Sequence, residues 1–511
     1  MTAGETQRET TPAGARLKQS VRRGARVALA AQIASQLISL LVLATLYRRL
    51  SLADYGLFGV VLPVLMLVRN LTTLGLGAAA VQREDLSAEA STALFWWNVW
   101  IGITTALVTL LAAPVVGWVY GDATAGRITL YLAGASLLAS LGTHHLALLE
   151  RQLNWKALAV SRLAAQAIAG FVAVQLAIRG AGVGSLVAQQ YVEVGVTTVC
   201  AWWFAGWMPG PPRRHAESLK LLGFGSHFGG AGLFFFLATN VDKLLLGALW
   251  KTAGRDAAGY YTQSFNFMMR PVSLLTAPLN SLMLPALARA RGEGDAFREV
   301  YLSFQRLIAI TMSPVGVGLM LTAPEVMHLL GGENWSGAGQ TLRLLAPTIL
   351  VQGFINTASS GLAAVGRADR LFAASVAFAA VMSMACFLVL TGYRESAESV
   401  NQLAATYSVT SIALFIPYQI WSCRTLEVRW SAWLRATARP LLSALAMGVC
   451  VYFVRAITAP WNVPPKSLEP AWVAASLGVQ VATGVVAYVL FAWGECRWLW
   501  GQLRRGAMDG V

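Results

Sequence analysis

Apolar stretches of about 20 residues, each long enough to cross a bilayer as one helix, recur along this chain from end to end. Hydrocarbon offers nothing to hydrogen-bond to the backbone, so such runs are confined to helices that satisfy their own N–H and C=O groups. Of the 511 residues 56% are hydrophobic and only 12% charged, whereas soluble chains carry about 25% charge. Mean hydropathy is +0.57. The fold class predicted is an all-α polytopic membrane protein with about fourteen transmembrane helices.

The spans read as residues 27–47, 55–78, 91–113, 126–149, 157–178 and 183–205, then 223–250, 259–287, 300–323, 340–365, 371–391 and 400–423, and last 438–457 and 471–493. This divides the chain into a basic tail (1–26), an N-lobe of six helices (27–205), a Pro-rich charged linker (206–222), a C-lobe of six helices (223–423), a basic loop (424–437), two further helices (438–493) and a second tail (494–511). The first tail has neither an apolar core nor a small-residue cleavage site and does not read as a signal peptide. With both termini inside, about 24 Lys and Arg fall in cytoplasmic segments and about nine outside, a positive-inside bias. That bias accounts for most of the net charge of +15 without nucleic acid. Every loop is short, so no soluble catalytic domain is expected. Trp118, Trp250, Trp335, Trp461 and Trp493 fall at span ends and fit interfacial anchors. The five cysteines are scattered and form no metal-binding or disulfide pattern.

The chain repeats itself. SLADYGLF precedes the second span and RDAAGYYT the eighth, each placing a glycine, Gly56 or Gly259, at the start of an outside-to-inside helix. Each helix then carries a deep arginine, Arg69 or Arg270. Six spans separate the copies, so the lobes are parallel repeats about an axis along the membrane normal.

Charges buried in apolar spans are costly, roughly 2.5–3.5 kcal/mol each at a helix centre on the insertion scale. Arg69, Arg270 and Lys243 are therefore candidates for a cationic cavity between the lobes, where arginine pairs well with an anion. Gln263, Asn266, Arg270, Ser273 and Asn280 form one stripe on the eighth span. Pro271, Pro278 and Pro285 free backbone carbonyls on a neighbouring face. Gln32, Ser35, Gln36 and Ser39 on the first span, Gln189, Gln190, Glu193 and Thr197 on the sixth, and Gln352, Asn356, Ser359 and Ser360 on the tenth add further polar lining, although one such stripe alone is more often interhelical glue. Asp242 and Glu193 are either coupling sites for a proton or sodium ion, or structural partners of Arg270 and Arg69 respectively. Arg162, Arg306 and Arg343 lie near span ends and are expected to snorkel. His144, His145 and His227 read as packing residues, and neither a metal site nor a nucleophile–base motif stands out.

The runs RRLSLADYGLFGVV and LGLGAAAVQREDLSAEASTALFWWNVWIG, followed by LLERQLNWKALAV, NVDKLLLG, AAGYYTQSFNFMMRPV and GLAAVGRADRLF, resemble in order and spacing the bacterial polysaccharide-transporter family. These are lipid-linked oligosaccharide flippases of the multidrug/oligosaccharidyl-lipid/polysaccharide exporter superfamily. The resemblance runs over about residues 48–424. It implies a two-lobed, V-shaped bundle in the bacterial inner membrane that alternates between inward-open and outward-open states. The implied cargo is an oligosaccharide on a polyprenyl pyrophosphate, driven by an ion gradient, with a polysaccharide polymerase as a protein partner. No nucleotide-binding loop and no cofactor motif is present, and the chain is not expected to be an enzyme. The alternatives are a multidrug exporter of the same superfamily, against which three deep bases to two acids argue, a membrane polysaccharide polymerase or ligase, which needs a large outer loop, and a scaffold that has lost transport.

Overall fold

The computed structural model describes residues 12–73, 87–152, 154–212, 236–237, 239–250, 254–393, 397–458 and 469–508. Its helices are α1 (Pro12–Tyr47), α2 (Leu52–Thr73), α3 (Ala88–Val119), α4 (Ala123–Arg151), α5 (Trp155–Ile178) and α6 (Val183–Ala205). A helical stretch at 239–250 follows, then α7 (Arg255–Arg289), α8 (Gly294–Gly331), α9 (Ser336–Leu345), α10 (Thr348–Ala364), α11 (Ala368–Gly392), α12 (Ala397–Thr425), α13 (Trp430–Thr458), α14 (Glu469–Phe491) and α15 (Trp493–Met508). Among the described residues ten helices are long and apolar enough to cross a membrane: α1–α5, α8 and α11–α14. This is a multi-pass membrane protein. The two long helices outside that set and inside the lobes, α6 and α7, each carry a polar stripe.

Side-chain caps set several helix starts. Ser87 Oγ accepts from Ala90 N at 3.1 Å, Asp122 Oδ1 from Thr124 N at 2.8 Å, and Asn154 Oδ1 from Ala157 N at 3.1 Å, each satisfying an orphan donor. Left-handed Gly206 (φ 57) closes α6, a conformation glycine adopts without a Cβ penalty. Within the spans many hydroxyls donate to the carbonyl one turn back, as Thr105, Thr109, Thr129 and Ser161 do. Such residues satisfy their hydroxyl proton within their own helix in an apolar medium.

Several boundaries differ from the sequence reading. Residues 12–26, expected as a tail, continue α1 as helix. The tenth span is two helices, parted at Pro347. Residues 494–508, expected as a tail, form α15, which is tied back: Arg306 Nε donates to Glu495 Oε2 at 2.6 Å and the Arg306 guanidinium lies 4.3 Å from the Trp498 ring centroid. Arg306 therefore does not simply snorkel.

α1–α6 form one lobe through the α3–α4, α5–α6, α4–α6 and α1–α5 contacts, and α7–α12 form the other around α7, α8 and α10; α13 and α14 pack against α8. The lobes meet chiefly where α2 crosses α7. At this crossing a Cβ on Gly56 would overlap the carbonyl of Arg255, a Cβ on Gly259 would overlap that of Leu52, and one on Gly59 would overlap the Thr262 side chain. Each partner stands 203 residues from its counterpart, so the contacts are reciprocal: the crossing lies on the repeat axis. In this register Arg270 corresponds to Leu67, not Arg69. The two arginines lie two residues out of step, on different helix faces.

Two expected interfacial anchors are core residues instead. Trp335 is 1% exposed, stacks on Tyr47 with centroids 3.9 Å apart, and donates Nε1–H to the Tyr47 carbonyl at 2.9 Å. Trp250 is 2% exposed and donates to the Leu390 carbonyl at 3.0 Å. A buried indole needs such an acceptor for its N–H. Trp118 and Trp493 are exposed, and Trp461 lies outside the described residues.

Candidate functional site

The end of the bundle that carries the α1–α2 turn is latched shut. Besides the Tyr47–Trp335 stack, Arg48 of the N-lobe donates Nη2–H to Leu329 O at 2.9 Å and Nε–H to Leu330 O at 3.3 Å. It thereby caps the last carbonyls of α8, where a cation also suits the helix dipole. Arg255 of α7 pairs with Asp122, the residue that caps α4. Tyr47 donates its hydroxyl to Gln263 Oε1 at 3.1 Å. Away from this latch Met66 and Arg69 on α2, and Asn266 and Ser273 on α7, are exposed.

Arg270 is half-buried and donates Nη1–H to Ser39 Oγ of α1, in the opposite lobe, at 2.8 Å. Among the described residues no carboxylate lies within ion-pairing distance of it. A permanently charged guanidinium is thus held by one neutral hydroxyl, with most of its five donors left for an anion.

The α1 stripe points the same way. Ser35 donates to Gln166 Oε1 at 2.6 Å, and Arg162 Nη1 donates to Gln32 Oε1 at 3.4 Å. Gln32, Ser35 and Ser39 fall on one helix face, and each bonds to another helix rather than to its own. Gln36 is half-buried. On the sixth span Thr197 instead donates back to the Glu193 carbonyl, and on the tenth Ser360 donates to the Asn356 carbonyl. Asn356 itself is half-buried. Gln352, with Thr239, Ser359 and Tyr418, lines a narrow cavity inside the C-lobe. The Asn280 side chain and the glycine-rich stretch with His227 lie outside the described residues.

Lys243 and Asp242 lie inside the C-lobe, 4% and 0% exposed. The ammonium is 3.4 Å from Asp242 Oδ1, donates to Thr239 O at 3.2 Å and lies 3.4 Å from the Phe265 ring centroid. Tyr261 of α7 donates to Asp242 Oδ2 at 2.7 Å. Asp242 therefore does tie the 239–250 stretch to α7, as expected of a structural acid, but through Tyr261 and not through Arg270. Glu193 lines a cavity that it shares with Arg162, Gln32 and Glu150; Arg162 is exposed and donates to Gln32. His144 bonds Ser91 Oγ at 2.7 Å and His145 stacks on Trp202 at 4.3 Å; both are packing residues.

Residues 42–340 match the family described as "Polysaccharide biosynthesis protein". The match covers more than half of the chain and spans the latch, the crossing and Arg270.

The chain belongs to this polysaccharide biosynthesis family.

Among curated relatives, the teichuronic acid biosynthesis protein TuaB of Bacillus subtilis (strain 168) is 22% identical over 420 residues, covering 81% of this chain and 83% of that protein. The lipopolysaccharide biosynthesis protein WzxC of Escherichia coli (strain K12) is 23% identical over 359 residues, 70% and 72% of the two chains. Among solved structures, this polysaccharide biosynthesis family member shares its fold with the lipid II flippase MurJ in an inward closed conformation (TM-score 0.70, 11% identity, 92% of this chain and 99% of that one). It also matches an inward-facing multidrug resistance MATE transporter of the MOP superfamily (TM-score 0.62, 14% identity, 79% and 98%).

Proposed function

We propose that the chain is a flippase that carries a polyprenyl-pyrophosphate-linked oligosaccharide across the bacterial cytoplasmic membrane for surface polysaccharide synthesis, by alternating access. The observation that carries this reading is Arg270, a half-buried guanidinium with no carboxylate partner among the described residues, held by Ser39 of the other lobe; in this reading it stands at the apex of a cleft between the lobes. A pyrophosphate offers the oxygens that its planar fork accepts bidentately. Arg69, exposed on α2, supplies a second cation on the way in. The names of the relatives and of the MurJ structure support a lipid-linked cargo. A cationic apex suits that cargo better than it suits the cationic drugs of a multidrug exporter.

The basic loops favour cytoplasmic termini; in this reading the latched end faces outward and the cleft opens inward. Transport without catalysis needs only a closing of the cleft behind the head group and an opening of the latch before it. Coupling to a proton or sodium gradient acts in this reading through Asp242, enclosed with Lys243 and Tyr261, and the delivered unit passes to a polysaccharide polymerase.

The test is Arg270→Ala in a strain depending on this chain for its surface polysaccharide. Polysaccharide should be lost at unchanged protein level, with lipid-linked precursor retained on the inner leaflet. Wild-type polysaccharide in the variant would sink the reading.

A further inference from the structure

Between α1, α4, α5 and α6 lies a cavity of 360 Å3, inside the range of about 300–1,000 Å3 typical of small-molecule sites. Its polar lining includes Gln32, Glu150, Arg162, Glu193 and Thr197, and Trp155 lies at its wall, 39% exposed. Glu150 and Arg162 are exposed near the inner ends of their spans, whereas Glu193 is half-buried well inside α6, where a charge is costly. Two carboxylates in one cavity repel an anion, so the pyrophosphate does not belong here. A guanidinium in the same cavity repels a metal ion. What suits acceptors and donors together is a neutral ligand that offers both at every position, and a sugar hydroxyl does so. An exposed indole adds an apolar face against which the C–H side of a pyranose can lie.

We infer that this cavity is the saccharide subsite of the transported lipid, an inference that rests on the flippase reading above. Its position relative to Arg270 supports the assignment. Gln32 at the cavity and Ser39 beside Arg270 lie on one face of α1, seven residues and so about 10 Å apart at about 1.5 Å per residue. One continuous helix face thus connects a phosphate-binding apex to a hydroxyl-binding pocket, with Ser35 and Gln166 between them. The pocket makes the transporter respond to the glycan and not only to the carrier.

The test uses the full chain in lipid nanodiscs and two probes. One is the lipid-linked oligosaccharide fraction extracted from a host strain lacking this transporter, and the other is undecaprenyl pyrophosphate without sugar. Wild type should bind the glycan-bearing lipid at least tenfold more tightly. Trp155→Ala, Arg162→Ala and the near-isosteric Glu193→Gln should each erase most of that preference and bind the sugar-free lipid as wild type does, which also shows that they are folded. Arg270→Ala should weaken both. Pocket variants that keep the wild-type preference, or a wild type with no preference, would overturn the saccharide subsite and leave the flippase reading standing. A wild type that binds neither probe would overturn both.

Discussion

Gly56 of α2 and Gly259 of α7 lie against each other's helices at the point where the lobes cross, each facing the backbone at which the other's counterpart begins its turn. A methyl on either would overlap a carbonyl, Arg255 O for position 56 and Leu52 O for position 259. Backbone cannot give way as a side-chain tip can, so the helices must separate. Gly56→Ala and Gly259→Ala should therefore disfavour the latched state. With Thr262→Cys placed in a background without the native cysteines, labelling from outside by a membrane-impermeant thiol reagent should rise severalfold in both variants. Unchanged labelling would mean that the crossing does not govern closure.

Asp122 and Arg255 join α4 of one lobe to α7 of the other at the same end. A hydrogen bond to a charged group contributes about 1.5–3 kcal/mol, and Asp122 is 6% exposed. Arg255→Ala should thus shift the balance between latched and open states by about tenfold or more. The exchange Asp122→Arg with Arg255→Asp should recover part of it. The same Thr262→Cys labelling reads both.

Ser39 and Arg270 should be unequal in their effects. Ser39→Ala removes one neutral acceptor, worth about 0.5–1.5 kcal/mol, and frees the guanidinium for the cargo, so polysaccharide output should fall severalfold at most. Arg270→Lys keeps the charge but not the fork, and should fall between Ser39→Ala and the null Arg270→Ala. Equal output from all three would contradict a directional phosphate contact.

Lys243→Ala leaves the Asp242 carboxylate enclosed without its cation, a loss of about 3–5 kcal/mol for a buried pair. The single variant should therefore fall in thermal stability and yield. Lys243→Met with Asp242→Asn removes both charges and should restore stability. Vesicles with and without an imposed proton or sodium gradient then decide the role of the pair: a stable double variant whose transport no longer follows the gradient supports coupling, and one that transports normally shows the pair to be structural.

The spans and the two lobes were legible because hydropathy is a one-dimensional signal, and Arg270 because a guanidinium in an apolar run is conspicuous wherever its neighbours end up. The surroundings of Arg162 were not legible, for the opposite reason. Depth along a helix can be counted from sequence, but whether the side chain faces lipid or a cavity depends on α1 and α6, which supply Gln32 and Glu193. Trp335 was taken for an anchor because it follows a span end, while its partner Tyr47 lies 288 residues away. The likeness of Arg69 to Arg270 was real as a pattern and wrong in register, since a glycine starts both helices but the arginines follow at thirteen and eleven residues. Only the reciprocal contacts of the crossing fix the offset.

Those contacts also carry a record of descent. Two identical half-chains related by a two-fold axis would make an isologous interface, in which a residue on the axis meets its own copy. The crossing of α2 and α7 still has that form, although it now lies within a single polypeptide. Within one polypeptide the two copies need not match, and position 59 holds a glycine while position 262 holds a threonine that fills the space beside it. A dimer of half-length chains must accept every substitution twice. This chain can carry Arg270 where the counterpart position holds Leu67, and so present unequal halves to an asymmetric cargo.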